Sequence, residues 1–144
     1  MFSRACEYAI RATIYIAEQS RSGKRVGIKD IAKAIDSPEP FTGKILQQLS
    51  KSQIIDSVKG PSGGFSIDKQ KMQTLRLSQI VEAIDGDKIY TGCGLGFKEC
   101  SEKLPCPVHN KFKLVRNELR RMLENTSIKE LSLNLEKGLA FLHR

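Results

Sequence analysis

The sequence is poor in the residues that mark membrane, secreted or catalytic proteins. It has no tryptophan, two histidines and four cysteines among 144 residues. No apolar run approaches the roughly 18 residues of a membrane-spanning helix, so we expect no membrane partner. Glu7 lies where a signal peptide would need apolar residues, which predicts a cytoplasmic protein, a setting in which disulfide frameworks are rare.

Catalytic patterns are also scarce. The two histidines, His109 and His143, belong to no evident pairing of a nucleophile with a base. The glycine-rich run 60–64 lacks the Lys-Ser/Thr pair of a phosphate-binding loop, and it precedes a predicted strand instead of a helix. The sequence therefore predicts that the protein is not an enzyme.

Positive charge is what the sequence has in excess. Lysine and arginine number 24 against 16 acidic residues, which gives a net charge of +8. Residues 1–71 carry +5 of this charge and residues 72–144 carry +3. The excess suits a phosphate-rich partner, although charge alone does not separate nucleic acid from an acidic protein.

Two short helices are predicted by the spacing of apolar residues in the first half of the chain. In the first helix, apolar residues recur at i, i+3, i+4 and i+7, namely Ile28, Ile31, Ala32 and Ile35. Ser37 and Pro38 end this helix, and we expect Ser37 to cap the next one with Pro38 in its first position. The second helix turns four apolar residues inward and keeps a polar outer face, as a helix-turn-helix does: Phe41, Ile45, Leu46 and Leu49.

A hairpin follows these helices. The β-prone segments 54–58 and 65–67 flank the run 60–64, whose glycines and proline predict a turn, and Lys59 lies at the tip. A helix-turn-helix followed by a basic hairpin is typical of a winged helix, with one helix in the major groove and the hairpin on the backbone or in the minor groove. The alternative is a small helical core whose hairpin contacts no nucleic acid.

Helical spacing predicts further helices outside this unit. One covers residues 4–20, and another begins near Leu77 with Ser78 as its cap and ends at 85–87. Residues 68–75 read as a polar connection between the hairpin and that helix. Thr126 and Ser127 can cap a final helix, in which four apolar residues cover the core: Ile128, Leu131, Leu135 and Leu142.

The longest helical pattern runs from Val108 to about residue 124. Its apolar residues are spaced alternately by four and three, as in a helix that packs along another helix: Val108, Phe112, Val115, Leu119 and Met122. We expect it to pair with its counterpart in a homodimer, the alternative being packing on the first helix of the same chain. The predicted fold is mainly α, with a winged helix-turn-helix domain in 1–90, a cysteine loop in 91–107, and the dimerisation and C-terminal helices in 108–144.

Three cysteines cluster in the irregular segment between these parts. Cys93, Cys100 and Cys106 form the pattern C-x6-C-x5-C, and His109 follows three residues later. Soft sulfur ligands favour an iron–sulfur cluster or zinc, and the absence of a C-x2-C pair favours the cluster. Redox-active thiols or a chance grouping are the alternatives.

A cluster bound by three cysteines can need a fourth ligand. His109 is the nearest candidate, and Glu7 on the first helix is the alternative, which in a dimer could come from the partner chain. Both residues also have ordinary explanations, since a histidine at a helix start is commonly solvated and a glutamate there is favoured by the helix dipole. We interpret Cys6 as a small, partly buried apolar residue and not as a ligand.

These features together resemble one family of regulators. The first helix contains Tyr-Ala-Ile-Arg-Ala and the hairpin reads Val-Lys-Gly-Pro-Ser-Gly-Gly-Phe, and the three-cysteine loop is followed by a long helix. In these respects the whole chain resembles the dimeric winged-helix iron–sulfur transcriptional regulators. That family includes the iron–sulfur cluster assembly repressor, the nitric-oxide-sensing repressor and the cysteine-metabolism repressor.

The resemblance implies a homodimer on an imperfect palindrome of double-stranded DNA, with the long helix as the dimer interface. It implies an iron–sulfur cluster as cofactor, 2Fe–2S in preference to 4Fe–4S, held by Cys93, Cys100 and Cys106. His109 matches the histidine ligand of the assembly-repressor branch, and Glu7 matches the acidic ligand position of the nitric-oxide branch. The first gap between cysteines is one residue longer than in the assembly repressor.

The expected function is that of a repressor whose DNA affinity is controlled by the cluster. Lysines on the helix-turn-helix and the hairpin would contact phosphates: Lys29, Lys44, Lys51 and Lys59. Thr42, Gln47 and Gln48 would face base edges, and Ser62 would border the minor groove. The alternative is a regulator without a cluster, controlled by a protein partner, as in members of the family that lack the cysteines, or by the redox state of its thiols.

Overall fold

The computed structural model describes all residues from Met1 to Arg144 and contains eight helices and two strands. In chain order they are α1 (Arg4–Arg21), α2 (Ile28–Ile35), α3 (Glu39–Lys51), β1 (Asp56–Val58), β2 (Gly64–Ser66), α4 (Lys69–Thr74), α5 (Leu77–Asp85), α6 (Lys88–Thr91), α7 (His109–Asn125) and α8 (Ile128–Glu136). The fold is mainly α with one two-stranded antiparallel sheet, as predicted. None of the helices combines the length and apolar character needed to cross a bilayer.

The first helix forms the centre of the core. The side chain of Ser3 accepts a hydrogen bond from the Cys6 amide and so caps α1. Ala9, Ala12 and Ile16 are fully buried on one face, and the two alanines let neighbouring helices approach closely. Helices α2, α3, α5 and α8 all pack against α1, so the helix-turn-helix and the C-terminal helix share one core.

The turn between α2 and α3 depends on one residue in the left-handed conformation. Asp36 has φ 53°, and its amide donates to carbonyls of the last turn of α2, which ends the helix there. The predicted cap of α3 is wrong, because Pro38 occupies the cap position and the Ser37 hydroxyl is hydrogen-bonded to Thr42. Ile28 is also not part of the core, since it is 39% exposed beside α3.

The wing is tied to the helical core by a third extended segment. In the hairpin, Asp56 pairs with Ser66 and Val58 with Gly64. Val26, between α1 and α2, exchanges two backbone hydrogen bonds with Phe65, at 3.0 and 2.8 Å. The predicted strands were too long at both outer ends, because Ile54, Ile55 and Ile67 are buried in the core and not paired in the sheet.

Helices α4 and α5 begin at other residues than the sequence predicted. The stretch 68–75, predicted as a polar connection, contains α4, which Asp68 caps through the Lys71 amide. Helix α5 starts after Arg76, whose amide donates to the Gln79 side chain at 2.8 Å, so Ser78 is not its cap. The end of α5 at Asp85 and Gly86 is as predicted.

The C-terminal helices pack on different parts of the core. Helix α8 ends at Glu136, so Leu142 covers the core from beyond this helix and not from within it, as was predicted. Helix α7 packs on α5 and α6, whereas α8 packs on α1 and is capped by Ser127, as predicted. Two backbone hydrogen bonds of 3.0 Å join the α4–α5 connection to the α7–α8 connection. The Leu77 amide donates to the Thr126 carbonyl, and the Ile128 amide donates to the Leu75 carbonyl. The division into units 1–90, 91–107 and 108–144 stays a prediction.

Candidate nucleic-acid interface and cysteine loop

A groove of about 590 Å³ lies between α3 and the wing. It is lined by residues of α2, α3 and both strands of the wing: Ile28, Pro40, Gly43, Lys44, Gln47, Ser50, Lys51, Ser57, Lys59 and Phe65. Three of these side chains are lysines and none is acidic, so the groove is positively charged. A positively charged groove beside a helix-turn-helix suits a duplex, whose phosphates lie on both sides of an inserted helix.

Four of the eight predicted DNA-binding residues meet in this groove. Lys44, Gln47 and Lys51 lie on the exposed face of α3, and Lys59 follows β1 on the opposite wall. Lys29 and Ser62 are exposed but do not line the groove. The lysines of both walls can therefore bind the backbone on either side of Gln47.

Two predicted base-contacting residues are turned elsewhere. Thr42 is fully buried, and its hydroxyl is hydrogen-bonded to Ser37 and to the Pro38 carbonyl at 2.8 Å. The prediction that Thr42 faces base edges is therefore wrong. The Gln48 amide donates to the Ala83 carbonyl at 3.0 Å, which holds this side chain against α5.

Sequence reasoning missed several residues of the groove. Ser50 is the most distinctive, since its hydroxyl is buried and has no hydrogen-bond partner. The sequence did offer a clue at Gly43. Glycine destabilises a helix interior, and its presence there is typical of a backbone that another molecule approaches closely. A Cβ atom at this position would meet only the Ile28 side chain at 3.8 Å, so the protein itself leaves this space open.

In the cysteine loop, the Cys100 sulfur has two polar side-chain partners, both from α7. His109, the first residue of α7 and only 6% exposed, places its Nδ1 atom 3.3 Å from the Cys100 Sγ atom. Both terminal nitrogens of Arg116 also lie 3.3 Å from this sulfur. Arg116 was not predicted, although its spacing of seven residues from His109 puts both on one face of α7.

Cys93 is surrounded by backbone amides of the loop. The Cys93 Sγ atom accepts a hydrogen bond from the Leu95 amide at 3.4 Å. This amide, the amides of Phe97 and Gly96, and the Cys106 thiol together hold the pKa of Cys93 below its ordinary value. The loop is fixed against α7 at Gly94, where any side chain would collide with the Phe112 ring.

The donor set fits a thiolate-bound metal group in its chemistry. Three thiols and one imidazole lie within 17 residues, the composition expected for iron–sulfur or zinc ligands. The Cys100 sulfur and the His109 imidazole are in hydrogen-bond contact, and no three ligand side chains form one group. Glu7 lies exposed on α1.

Cys6 differs from the loop cysteines because it is fully buried in the core. Burial, reinforced by the Asp85 carboxylate, raises the pKa of its thiol to about 12. The carboxylate of Asp85 also accepts hydrogen bonds from the amide and the hydroxyl of Ser3. Cys6 thus belongs to the core, as predicted, and is more deeply buried than the sequence suggested.

Helix α7 presents an apolar stripe to solvent. Val115 is 60% exposed and Met122 is 47% exposed. Phe112, one turn before Val115, is also exposed. Only Leu123 of the apolar residues of α7 is fully buried, against the core formed with α5. The residues of the predicted seam are thus largely uncovered in a single chain.

Comparison with known proteins agrees with this architecture. A family model described as Rrf2, iron-dependent transcriptional regulator, matches residues 2–134. The chain is 34% identical over 139 residues to a candidate HTH-type transcriptional regulator of Aquifex aeolicus strain VF5, covering 95% of this chain and 94% of that protein. It is 28% identical over 130 residues to the HTH-type transcriptional regulator IscR of Cronobacter sakazakii, covering 90% and 78%.

Solved structures show the same fold. CymR, the global cysteine regulator of B. subtilis, superposes with a TM-score of 0.74 at 15% identity, covering 92% of this chain and 96% of that one. IscR of T. potens superposes with a TM-score of 0.72 at 16% identity, covering 97% and 91%. The resemblance drawn from the sequence is confirmed, and this chain belongs to the Rrf2 family of helix-turn-helix transcriptional regulators and is not an enzyme.

Proposed function

We propose that the protein is a homodimeric repressor that binds a palindromic operator with an affinity controlled by an iron–sulfur cluster in the cysteine loop. The observation that carries the proposal is the groove in which Lys44, Lys51 and Lys59 surround Gln47. Phosphate contacts from the lysines would supply most of the affinity. Gln47 can form two hydrogen bonds with adenine, one through its side-chain oxygen and one through its N–H₂ group, which would supply sequence preference.

The exposed stripe on α7 supports the dimer. Phe112, Val115 and Met122 recur at the spacing of a two-helix seam and lie uncovered in the single chain. Pairing two copies along this stripe would place two grooves in one twofold-symmetric particle. A twofold dimer reads two inverted half-sites, which is why the operator is expected to be a palindrome.

Cys93, Cys100 and Cys106 would hold the cluster, with His109 as fourth ligand and Glu7, from the partner chain, as the alternative. When bound, the cluster supplies iron–sulfur bonds that oxidants, nitric oxide or iron shortage can break. Its nuclearity is 2Fe–2S in this proposal, with 4Fe–4S as the alternative.

The loop can transmit its state to the dimer helix through contacts within the chain. Gly94 packs directly against Phe112, and His109 is the first residue of α7. Arg116 donates both to Cys100 and to the Gly92 carbonyl, which joins two points of the loop to the middle of α7. A change in loop order would therefore alter the surface along which two copies pair, and a coupling of about 1–3 kcal/mol changes DNA occupancy many-fold.

A second function, control by thiol oxidation, is favoured by the lowered pKa of Cys93, to which hydrogen bonds from loop amides and the Cys106 thiol contribute. In this reading the two thiols lose two electrons and two protons to hydrogen peroxide, which is reduced to water, and a disulfide forms. A structure of the oxidised form of CymR from Staphylococcus aureus shares the fold, with a TM-score of 0.72 at 20% identity.

The test starts with protein purified without oxygen, on which iron and sulfide are measured and the visible spectrum is recorded. Binding sites are then selected from a random duplex library, and affinity is measured for cluster-loaded, cluster-free reduced, and peroxide-treated protein. The proposal expects bound iron and a large difference between the first two forms. Iron-free protein whose affinity changes only with peroxide would establish thiol control, and protein without preference for any duplex would refute both.

A further inference from the structure

A second cavity, away from the groove and the cysteine loop, has the lining of an anion site. It measures about 200 Å³ and lies between the end of α1, the start of α4 and α8. We call it the α4–α8 cavity, and its lining residues are Ser20, Arg21, Ile67, Lys69, Met72, Gln73 and Lys129. Three of these side chains are cationic and none is acidic.

The polar groups around this cavity have hydrogen-bond donors to spare. The Ser20 hydroxyl accepts a hydrogen bond from the Ile67 amide, which leaves its own O–H free to donate. The Lys129 ammonium donates to the Gln73 side-chain oxygen at 3.1 Å, which fixes the Lys129 head group and leaves the Gln73 amide N–H₂ free. The lining therefore offers donors to an acceptor-only group.

The charges of the cavity are only partly compensated. Arg21 forms an ion pair with Glu136 at 2.7 Å, outside the lining. Lys69 and Lys129 form no ion pair. Two lysines and two residues with neutral donors thus line one space, a composition suited to a carboxylate or a phosphate.

The floor of the cavity distinguishes between these anions. Ile67 and Met72 are both buried side chains of the core, and they line the same space as the donors. An inorganic anion would leave this apolar surface unused, whereas an organic anion with a short hydrocarbon body would cover it. The volume of about 200 Å³ is below the roughly 300–1,000 Å³ of sites for drug-sized ligands, so a small ligand suits it.

We propose that the α4–α8 cavity binds a small organic carboxylate, with its carboxylate held by Lys69, Lys129, Ser20 and Gln73 and its hydrocarbon part on Ile67 and Met72. Ile67 directly follows β2, so an occupant touches the base of the wing. The site is therefore placed to act as an effector site, in addition to the cysteine loop. Binding itself requires neither the cluster nor the dimer.

Methionine methyl groups allow a direct test. The chain has three methionines, and only Met72 lies at the cavity, whereas Met1 is terminal and Met122 lies on α7. Protein labelled with ¹³C in the methionine methyl groups is titrated with isovalerate, a branched five-carbon carboxylate, at constant ionic strength. The proposal expects a saturable shift of the Met72 signal alone, with a dissociation constant of about 1 mM.

Matched ligands and variants separate the recognition of charge from other effects. Isovaleramide keeps the shape of isovalerate and lacks its charge, so its dissociation constant, read from the Met72 signal, should be at least about fivefold higher. Inorganic phosphate should also bind more weakly than isovalerate. Lys129→Gln and Lys69→Gln should each weaken isovalerate binding by a similar factor. Lys137→Gln, a change of an exposed lysine at the end of α8, should leave it unchanged.

Three results would overturn the proposal. These are a Met72 signal that does not move, equal shifts from the acid and the amide, and binding that is unaffected by Lys129→Gln. Random-sequence duplex DNA serves as a further probe. A Met72 shift with duplex, together with none with isovalerate, would assign these lysines to the DNA backbone instead.

Discussion

The two terminal guanidinium nitrogens of Arg116 lie at the same distance, 3.3 Å, from the Sγ atom of Cys100. One of them also donates to the Gly92 carbonyl. A single side chain of α7 thus fixes both the start of the cysteine loop and its central thiol. Groups that hydrogen-bond to a metal ligand orient it and raise its affinity for the metal, so Arg116 is a positioning residue for the proposed cluster.

Replacing Arg116 should loosen the cysteine loop. We expect Arg116→Gln to lose its cluster to a chelator about ten times faster than the unchanged protein, as seen in the loss of visible absorbance. In cluster-free protein the same change should alter the rate at which iodoacetamide modifies Cys100. The folded protein is treated with iodoacetamide and then digested, and modification is measured on the peptide that contains Cys100. Arg121→Gln, which removes a cation paired only with Glu118 on the surface, is the control. Equal behaviour of the two variants would leave Arg116 without this role.

Charge placed on the exposed stripe of α7 should separate the dimer. Val115→Lys and Met122→Lys each put an ammonium group where two apolar helices are expected to meet, and neither side chain is buried in the single chain. Sedimentation should therefore show folded monomers, with DNA binding reduced to the weak affinity of a half-site. Leu104→Lys changes an apolar residue that is 84% exposed outside the stripe and should leave a dimer. Dimers in all three variants would exclude α7 as the interface.

Lysines of the groove should control the salt dependence of DNA binding. Affinity falls as salt rises, and Lys44→Gln and Lys51→Gln should each make this fall less steep. The magnitude of the slope of log affinity against log salt should decrease by about two per dimer, one for each protomer. Gln47→Ala should leave the slope unchanged and reduce the preference for the selected site by roughly 1–3 kcal/mol. The control is Lys137→Gln, since Lys137 lies outside the groove. The assignment fails if Lys137→Gln changes the slope as much as the groove variants do.

Gly43→Ala should stabilise the protein. Glycine inside a helix costs about 0.5–1 kcal/mol relative to alanine, and the new methyl group would have only an ordinary contact with Ile28 at 3.8 Å. Urea unfolding should show a higher midpoint with an unchanged slope. Gly64→Ala should have the opposite effect, because Gly64 has φ 133° and a Cβ atom there would lie 2.8 Å from the Val26 carbonyl oxygen. A loss of stability in Gly43→Ala would mean that α3 is packed differently.

The four cysteines should react unequally. Because burial and Asp85 raise the pKa of Cys6 to about 12, this residue stays a thiol at pH 8, whereas alkylation requires the thiolate. Iodoacetamide should therefore add three groups to the folded, cluster-free protein and the fourth only in denaturant, as read by intact mass. Modification of Cys6 at the rate of the loop cysteines would show that α1 is not packed as described.

Elements with strong local signals were predictable from the sequence. The cap at Ser127, the end of α5 and the apolar stripe of α1 follow from side chains and periodicity within a few residues. Helix α4 was not predicted because a segment of six residues is too short to show a helical period, and Met72 is its one buried residue. Its capping residue, Asp68, would have been the one local clue.

Residues whose partners are distant in sequence were placed wrongly or missed. Gln48 reads as part of a solvated face, but its partner is the Ala83 carbonyl, 35 positions away. Thr42 is buried although it is polar, because its hydroxyl is satisfied by Pro38 one turn earlier and by Ser37. The contact of Arg116 with Cys100 likewise appears only once the loop folds back on α7. The DNA contacts and the ligand set stay predictions.

The pairing of Val26 with Phe65 has an evolutionary consequence. It fastens the wing to the segment before α2 through main-chain hydrogen bonds, which do not depend on the identity of the side chains. The position of the wing relative to the segment before α2 is thereby maintained when the residues proposed to read bases change. Paralogues could then acquire new target sequences by point mutation and still fit DNA with the same separation of contacts.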